Sequence, residues 1–166
     1  MRLIMQAKQA LGVEADMYYP GSCLDRSVLE TGGEGANDAY FNAELLLFND
    51  EDDPEVAIYR EKMEQYGPSG HELSTFSQVG FQTIMNITEI LNEMGDPDAL
   101  TSQAVLDYMP TVKDHHNFMS HPYTCDGQQV AILPAVCNAY DRIIQYKDGE
   151  PVDVLGDWIT GADQLG

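Results

Sequence analysis

Leu3-Ile-Met-Gln-Ala-Lys-Gln-Ala-Leu-Gly12, followed by Ala15-Asp-Met-Tyr-Tyr-Pro-Gly-Ser-Cys23, decides the fold. Leu3, Ala7, Ala10 and Leu11 fall on one helical face, and Gly12 stands where a helix end takes a left-handed residue. Met17, Tyr18 and Tyr19 read as a strand, which Pro20-Gly21-Ser22 closes in a turn. A helix that feeds a strand is the back half of a βαβ crossover, which needs a strand before the helix. Here the helix starts at Met1, so the sequence predicts the C-terminal part of a larger α/β protein.

Downstream, Leu24–Thr31 reads as a short helix closed by Gly32-Gly33. Asp38–Leu47 reads as a strand, with Tyr40 and Phe41 as β-formers and Leu45-Leu46-Leu47 as a buried continuation. The acidic turn Asn49–Asp53 leads into a helix: Asp53 is a natural N-cap, Pro54 suits the first position and Glu55 suits the positive end of the dipole. Val56, Tyr59, Met63 and Tyr66 give that helix a narrow apolar stripe, and Gly67-Pro68 stops it. From Ser74 to Met94 the apolar surface is wider, which predicts neighbours on more than one side. Leu100, Ala104, Val105 and Tyr108 mark a third helix. Ala139–Lys147 and Pro151–Leu155 form a hairpin around Asp148-Gly149. The order is αβ, αβ, three helices, then strands, an α/β pattern with an irregular end.

The 166 residues can bury one sizeable core, and 43% apolar content argues against disorder. Twenty-eight acidic against eight basic residues give a net charge of −20. That excludes nucleic-acid backbones as a partner, disfavours anionic membranes and points to a solvated acidic surface. No apolar run reaches the length of a membrane span, and no signal peptide opens the sequence. Cys125 and Cys137 flank a Gly- and Pro-containing loop that can bring their sulfurs together. Cys23 is left over, and its expected partner lies in the absent front part.

Few residues carry chemistry. His115, His116, His121 and Cys125 include zinc-ligand types, but their spacing fits no paired-ligand pattern, so hydrogen-bonded loop histidines are expected rather than a metal. Asn49–Asp53 lacks the central glycine and closing glutamate of a calcium loop. There is no GxSxG, and Gly32-Gly-Glu-Gly35 follows a helix rather than a strand, the wrong context for a phosphate loop. No catalytic residue and no cofactor are expected. What remains is the turn Tyr18–Cys23, because ligands of open α/β sheets sit beyond the carboxyl ends of strands. Tyr19 offers stacking there, and Ser22 offers a hydroxyl and a backbone N–H. The bland reading of Tyr18 and Tyr19 is simple alternation between core and surface.

These segments resemble, in this order, the C-terminal part of the type I periplasmic binding proteins of ABC importers, the branched-chain amino acid-binding class. The carrying segments are Leu3–Gly12, the strand and turn to Ser22, Val28-Leu-Glu-Thr-Gly-Gly33 and Gly35-Ala-Asn-Asp-Ala-Tyr-Phe41. Asp53-Pro54, Gln65-Tyr66-Gly67, Phe76-Ser-Gln-Val-Gly-Phe81 and Asp148-Gly149 complete the series. The resemblance implies an incomplete two-lobed fold that closes around an amino acid-like solute and passes it to a membrane permease without chemistry. It assigns residues 1–47 to the second lobe with a hinge strand, 48–142 to the first lobe, and 143–166 to the last hinge crossing and tail. Tyr19, Ser22 and Cys23 match a ligand-facing loop, and Phe76 matches an aromatic position at the cleft. It implies export to the periplasm or cell surface, with the signal peptide missing from this chain. Cys23 and the loop from Cys125 to Cys137 are departures from the class. A small α/β enzyme or a receptor-like sensing domain of the same fold is the other reading.

Overall fold

The computed structural model describes residues 1–70 and 73–162; the tail beyond 162 lies outside them. Among the described residues the chain divides into two compact bodies, one of residues 1–78 with 141–157, the other of 79–140 with 158–162.

The first body opens with α1 (Arg2–Leu11), which ends at Gly12 in the left-handed conformation, φ 62°. β1 (Tyr18–Pro20) follows, then a 3₁₀ turn at Gly21–Cys23 and α2 (Arg26–Gly32). Asp25 caps α2 by accepting from the Ser27 N–H at 2.9 Å. A second 3₁₀ turn, Gly33–Ala36, leads to β2 (Tyr40–Ala43). β1 and β2 are parallel with Tyr19 opposite Phe41, so β1, α2 and β2 form a complete βαβ unit. β3 (Tyr140–Lys147) and β4 (Glu150–Asp153) make the expected hairpin. Its turn residues Asp148 and Gly149 have φ of 52° and 91°, as a two-residue hairpin turn requires. β3 runs antiparallel to β2, with Ile144 opposite Phe41, which gives the order β1-β2-β3-β4.

This register places Tyr19, Phe41 and Ile144 in one row on one face of the sheet, since side chains alternate with period two. All three are buried, in a core with Met5, Leu24, Leu29, Ala36, Ala39 and Ala43. On the opposite face Tyr18 stacks on Tyr40 with centroids 5.0 Å apart.

Two expectations need correction here. The α1 face predicted to be buried is exposed: Leu3 is 79% and Leu11 77% accessible, Ala7 and Ala10 are open, and Met5 is the buried residue. The reason is a close approach. The Gly33–Ala36 turn lies so near α1 that a Cβ on Gly35 would strike the Met5 carbonyl, which fixes the face that turns inward. The strand predicted over Asp38–Leu47 stops at Ala43, because the last ladder pair is Ala43 with Arg142, near the start of β3. Leu45 stays buried, and the Leu46 carbonyl is satisfied instead by Gln78 Nε2 at 2.8 Å.

α3 (Pro54–Tyr66) has the predicted cap, Asp53 Oδ1 accepting from the N–H groups of Glu55 and Val56 at 2.9 and 3.0 Å. Val56 and Tyr59 are buried, whereas Tyr66 at the end of the stripe is exposed. α4 (Thr75–Met94) begins in the first body and continues into the second.

In the second body α4, α5 (Ser102–Tyr108) and the loop from Val112 to Cys125 enclose a small core of Ile90, Val112, Tyr123 and Cys125. The wide apolar surface of α4 is less covered than predicted: Ile90 is buried, but Ile84 is 64% accessible. A polar stripe on the same helix holds the loop instead. Gln82 and Asn86 both donate to Asn117 Oδ1, and Asn86 Oδ1 accepts from the Phe118 N–H. One and two turns further on, Glu89 meets His116 and Glu93 meets His115, each at 3.0 Å. Cys125 and Cys137 are bonded to each other, with Cα atoms 4.4 Å apart. The short β5 (Ile159–Thr160) follows Trp158. Among the described residues no helix is long and apolar enough to cross a membrane.

Candidate functional site

Three of the residues singled out in the sequence lie in β1 and on the turn that follows it, Tyr19 in the strand and Ser22 and Cys23 on the turn. The turn hugs β2, because a Cβ on Gly21 would run into the Asn42 carbonyl and only glycine fits. The Leu24 N–H closes it by donating to the Gly21 carbonyl at 2.9 Å. Ser22 is then exposed, Cys23 half-buried and Tyr19 only 6% accessible. Cys23 is a free thiol.

The Tyr19 ring packs on Phe41, centroids 5.7 Å apart, and its hydroxyl is buried without a hydrogen-bond partner among the described residues. Burial, with a smaller push from Cys23, raises that hydroxyl above the ordinary tyrosine value. A buried donor left unpaired costs roughly 1–3 kcal/mol, so this group gains from any acceptor brought to it.

Phe76 sits on the first turn of α4 and is 65% accessible. Its neighbours fix that turn in place. Thr75 Oγ1 donates to the Leu24 carbonyl at 2.9 Å, a buried bond that ties α4 to the residue after Cys23. Gln78, 1% accessible, reaches the Leu46 carbonyl, and the Ser77 hydroxyl bonds the Tyr59 hydroxyl. Burial raises the Tyr59 hydroxyl too, and its bonds to Ser77 and Ser74 partly offset this. The structure thus brings the Phe76 turn within one hydrogen bond of the Tyr19–Cys23 turn. Sequence reasoning missed Thr75, Ser77 and Gln78. Their signal was available: polar residues at helical spacing where the flanking pattern is apolar.

The histidines go elsewhere. His115 and His116 face the two glutamates of α4, and His121 stacks on Tyr140 with centroids 3.6 Å apart. Among the described residues no group of three or more His, Cys, Asp or Glu is arranged to hold a metal.

No protein-family model matches the sequence, and neither does any curated protein. Solved structures do match. The mixed α/β architecture with its open sheet corresponds to part of the type I periplasmic binding protein fold. One similar structure is a leucine-binding protein, LivK, of Thermotoga maritima, with 13% identity and a TM-score of 0.67 over 98% of this chain and 42% of that one. Another is a branched-chain amino acid ABC transporter protein of Thermus thermophilus with bound valine, with 14% identity and a TM-score of 0.70 over 97% of this chain and 43% of that one. The chain therefore spans less than half the length of either.

Proposed function

We propose that this chain is part of the extracytoplasmic solute-binding component of an ABC importer that takes an amino acid or a related small polar solute. The observation that carries this reading is the likeness of nearly the whole chain to part of two amino acid-binding structures. On this reading residues 1–47 belong to the second lobe, 48–142 to the first, and 143–166 to the last crossing and tail. Tyr19, Ser22 and Cys23 face the solute, and Phe76 borders the cleft. The unpaired Tyr19 hydroxyl supports the assignment, since a polar solute offers the acceptor it lacks. The bond between Cys125 and Cys137 supports export, because disulfides persist in oxidising compartments.

The accessible apolar residues Leu3, Ile4 and Leu11 of α1 and Ile84 of α4 support incompleteness. A parallel α/β sheet and its helices normally bury such faces. The solute is released to a membrane permease unchanged, with no catalytic step. The gene's upstream DNA and calorimetry test the reading together. An in-frame extension encoding an export signal and a first α/β lobe is expected. The extended protein should bind leucine, valine or a related solute, and Phe76→Ala should weaken that binding by removing an aromatic wall. An extended protein that gives no binding heat with any amino acid would overturn the proposal. Unchanged affinity in the Phe76 variant would remove that residue from the site.

A further inference from the structure

The bond between Cys125 and Cys137 closes a loop on the second body that the solute reading does not use. No Asp, Glu, Lys or Arg stands between Asp126 and Asp141, in a chain of which 22% is charged. Val130 is buried, and the residues after it stand outward. Ile132 is 66% and Leu133 51% accessible, with Ala131, Pro134 and Ala135 exposed beside them. These five residues make one unbroken apolar stretch at the surface.

Backbone bonds hold the stretch in two successive turns. The Leu133 N–H donates to the Val130 carbonyl at 2.9 Å, and the Val136 N–H to the Leu133 carbonyl at 3.0 Å. The base is tied as well. Asp126 Oδ1 accepts from the Gln128 N–H at 3.0 Å and from Gln129 Nε2 at 3.1 Å, and the Thr124 N–H donates to the Cys137 carbonyl at 2.9 Å. A segment closed by a disulfide and fixed in turns gives up little further freedom when it meets a partner.

We propose that Ala131–Ala135 is a lipid-contacting knuckle, which sets Ile132 and Leu133 into the interface of a bilayer with zwitterionic headgroups. Three observations select that partner. The stretch is apolar and uncharged, so it gains from hydrocarbon and offers nothing to a charged or hydrogen-bonding surface. It is small: a stable protein interface takes about 20–30 residues a side, whereas a fluid lipid surface needs no matching hollow to receive five. The chain around it stands at −20, which repels anionic lipid and a second copy of itself but not a neutral headgroup.

Flotation of the whole chain with phosphatidylcholine vesicles tests the proposal. Binding that rises with lipid concentration is expected, and Ile132→Ser with Leu133→Ser should lower the partition coefficient about tenfold. Both side chains are exposed, so the fold should survive their loss, which circular dichroism checks. Leu3→Ser with Leu11→Ser, which removes the exposed apolar face of α1, should leave most of the binding. At low salt, phosphatidylglycerol mixed into the vesicles should weaken binding, and added salt should restore it. No vesicle binding, equal binding by the knuckle variant, loss of binding from the α1 variant instead, or stronger binding to the anionic vesicles would overturn the proposal. Self-association in sedimentation velocity that the knuckle variant abolishes would also overturn it, by assigning the stretch to a second copy. The contact stands apart from the solute reading, so an extended protein that binds no amino acid leaves it in place.

Discussion

Replacing Cys125 and Cys137 together by alanine should lower the stability of the second body by about 3 kcal/mol. The bridge closes a loop with a sequence separation of 12. In the chain-entropy model a loop of that length restricts the unfolded state by about 3 kcal/mol at 25 °C. The native contacts around it survive the substitution. The Thr124 N–H still donates to the carbonyl of residue 137, and the N–H of residue 125 still donates to the Val112 carbonyl, both through backbone atoms. Loss of the buried Cys125 sulfur from the cluster with Ile90 and Tyr123 adds a smaller packing cost. Trp158 is the single tryptophan and belongs to the same body, so its fluorescence reports this transition. With a urea dependence of roughly 2 kcal/mol per molar, the midpoint should fall by about 1.5 M. Dithiothreitol should shift the native chain in the same direction and leave the variant unmoved. Alkylation of the oxidised, denatured chain should label one thiol, at Cys23. Coincident unfolding curves for the two proteins, or three labelled thiols, would refute the reasoning.

Gly35→Ala should destabilise the first body by about 1–3 kcal/mol, because its Cβ must displace the Met5 carbonyl; a denaturant melt followed by circular dichroism measures it. Gln78→Leu should cost about 1–3 kcal/mol by leaving the Leu46 carbonyl without its partner, and a melt equal to that of the native chain would contradict the contact. Tyr19, Tyr59 and Tyr123 have raised hydroxyls, with burial the largest cause in each. Their neutral form is favoured by folding, so the stability they lend is intact below the ordinary tyrosine value of about 10 and is lost as pH climbs through their raised values. Phenolate absorbance should show these three ionising above the ordinary tyrosine value of about 10, or together with unfolding. The exposed Leu3 and Leu11 should make the chain self-associate in sedimentation velocity, and Leu3→Lys with Leu11→Lys should reduce that association without altering the helix.

Local chemistry was legible in the sequence wherever a single residue type sufficed. Gly12 ends α1, Asp53 caps α3 and Asp148-Gly149 turns the hairpin, each for the conformational reason its residue type announces. Distant partners were not legible. Leu45-Leu46-Leu47 has the composition of a strand, but a ladder needs a partner, and β3 supplies one only as far as Arg142. The inward face of α1 is set by the close approach of a turn some thirty residues later, which no helical periodicity encodes. The site divides in the same way. Tyr19 could be found as the last aromatic residue of a strand, whereas the bond from Thr75 to the Leu24 carbonyl spans a sequence separation of 51 and could not.

The discontinuity of the first body has a consequence for the order in which the chain acquires structure. β2 is synthesised about a hundred residues before β3, its antiparallel neighbour, and the hairpin tip is joined to Asn37, just ahead of β2, by a bond from the Asp148 N–H to Asn37 Oδ1 across 111 residues. Closing so long a loop carries an entropic cost that the local contacts of α4, α5 and their loop largely avoid. On a ribosome, therefore, residues 79–140 can settle while β2 still presents a bare edge. That edge, with Phe41 not yet covered by Ile144, is the place where a nascent copy is most open to pairing with a neighbour or to being held by a chaperone.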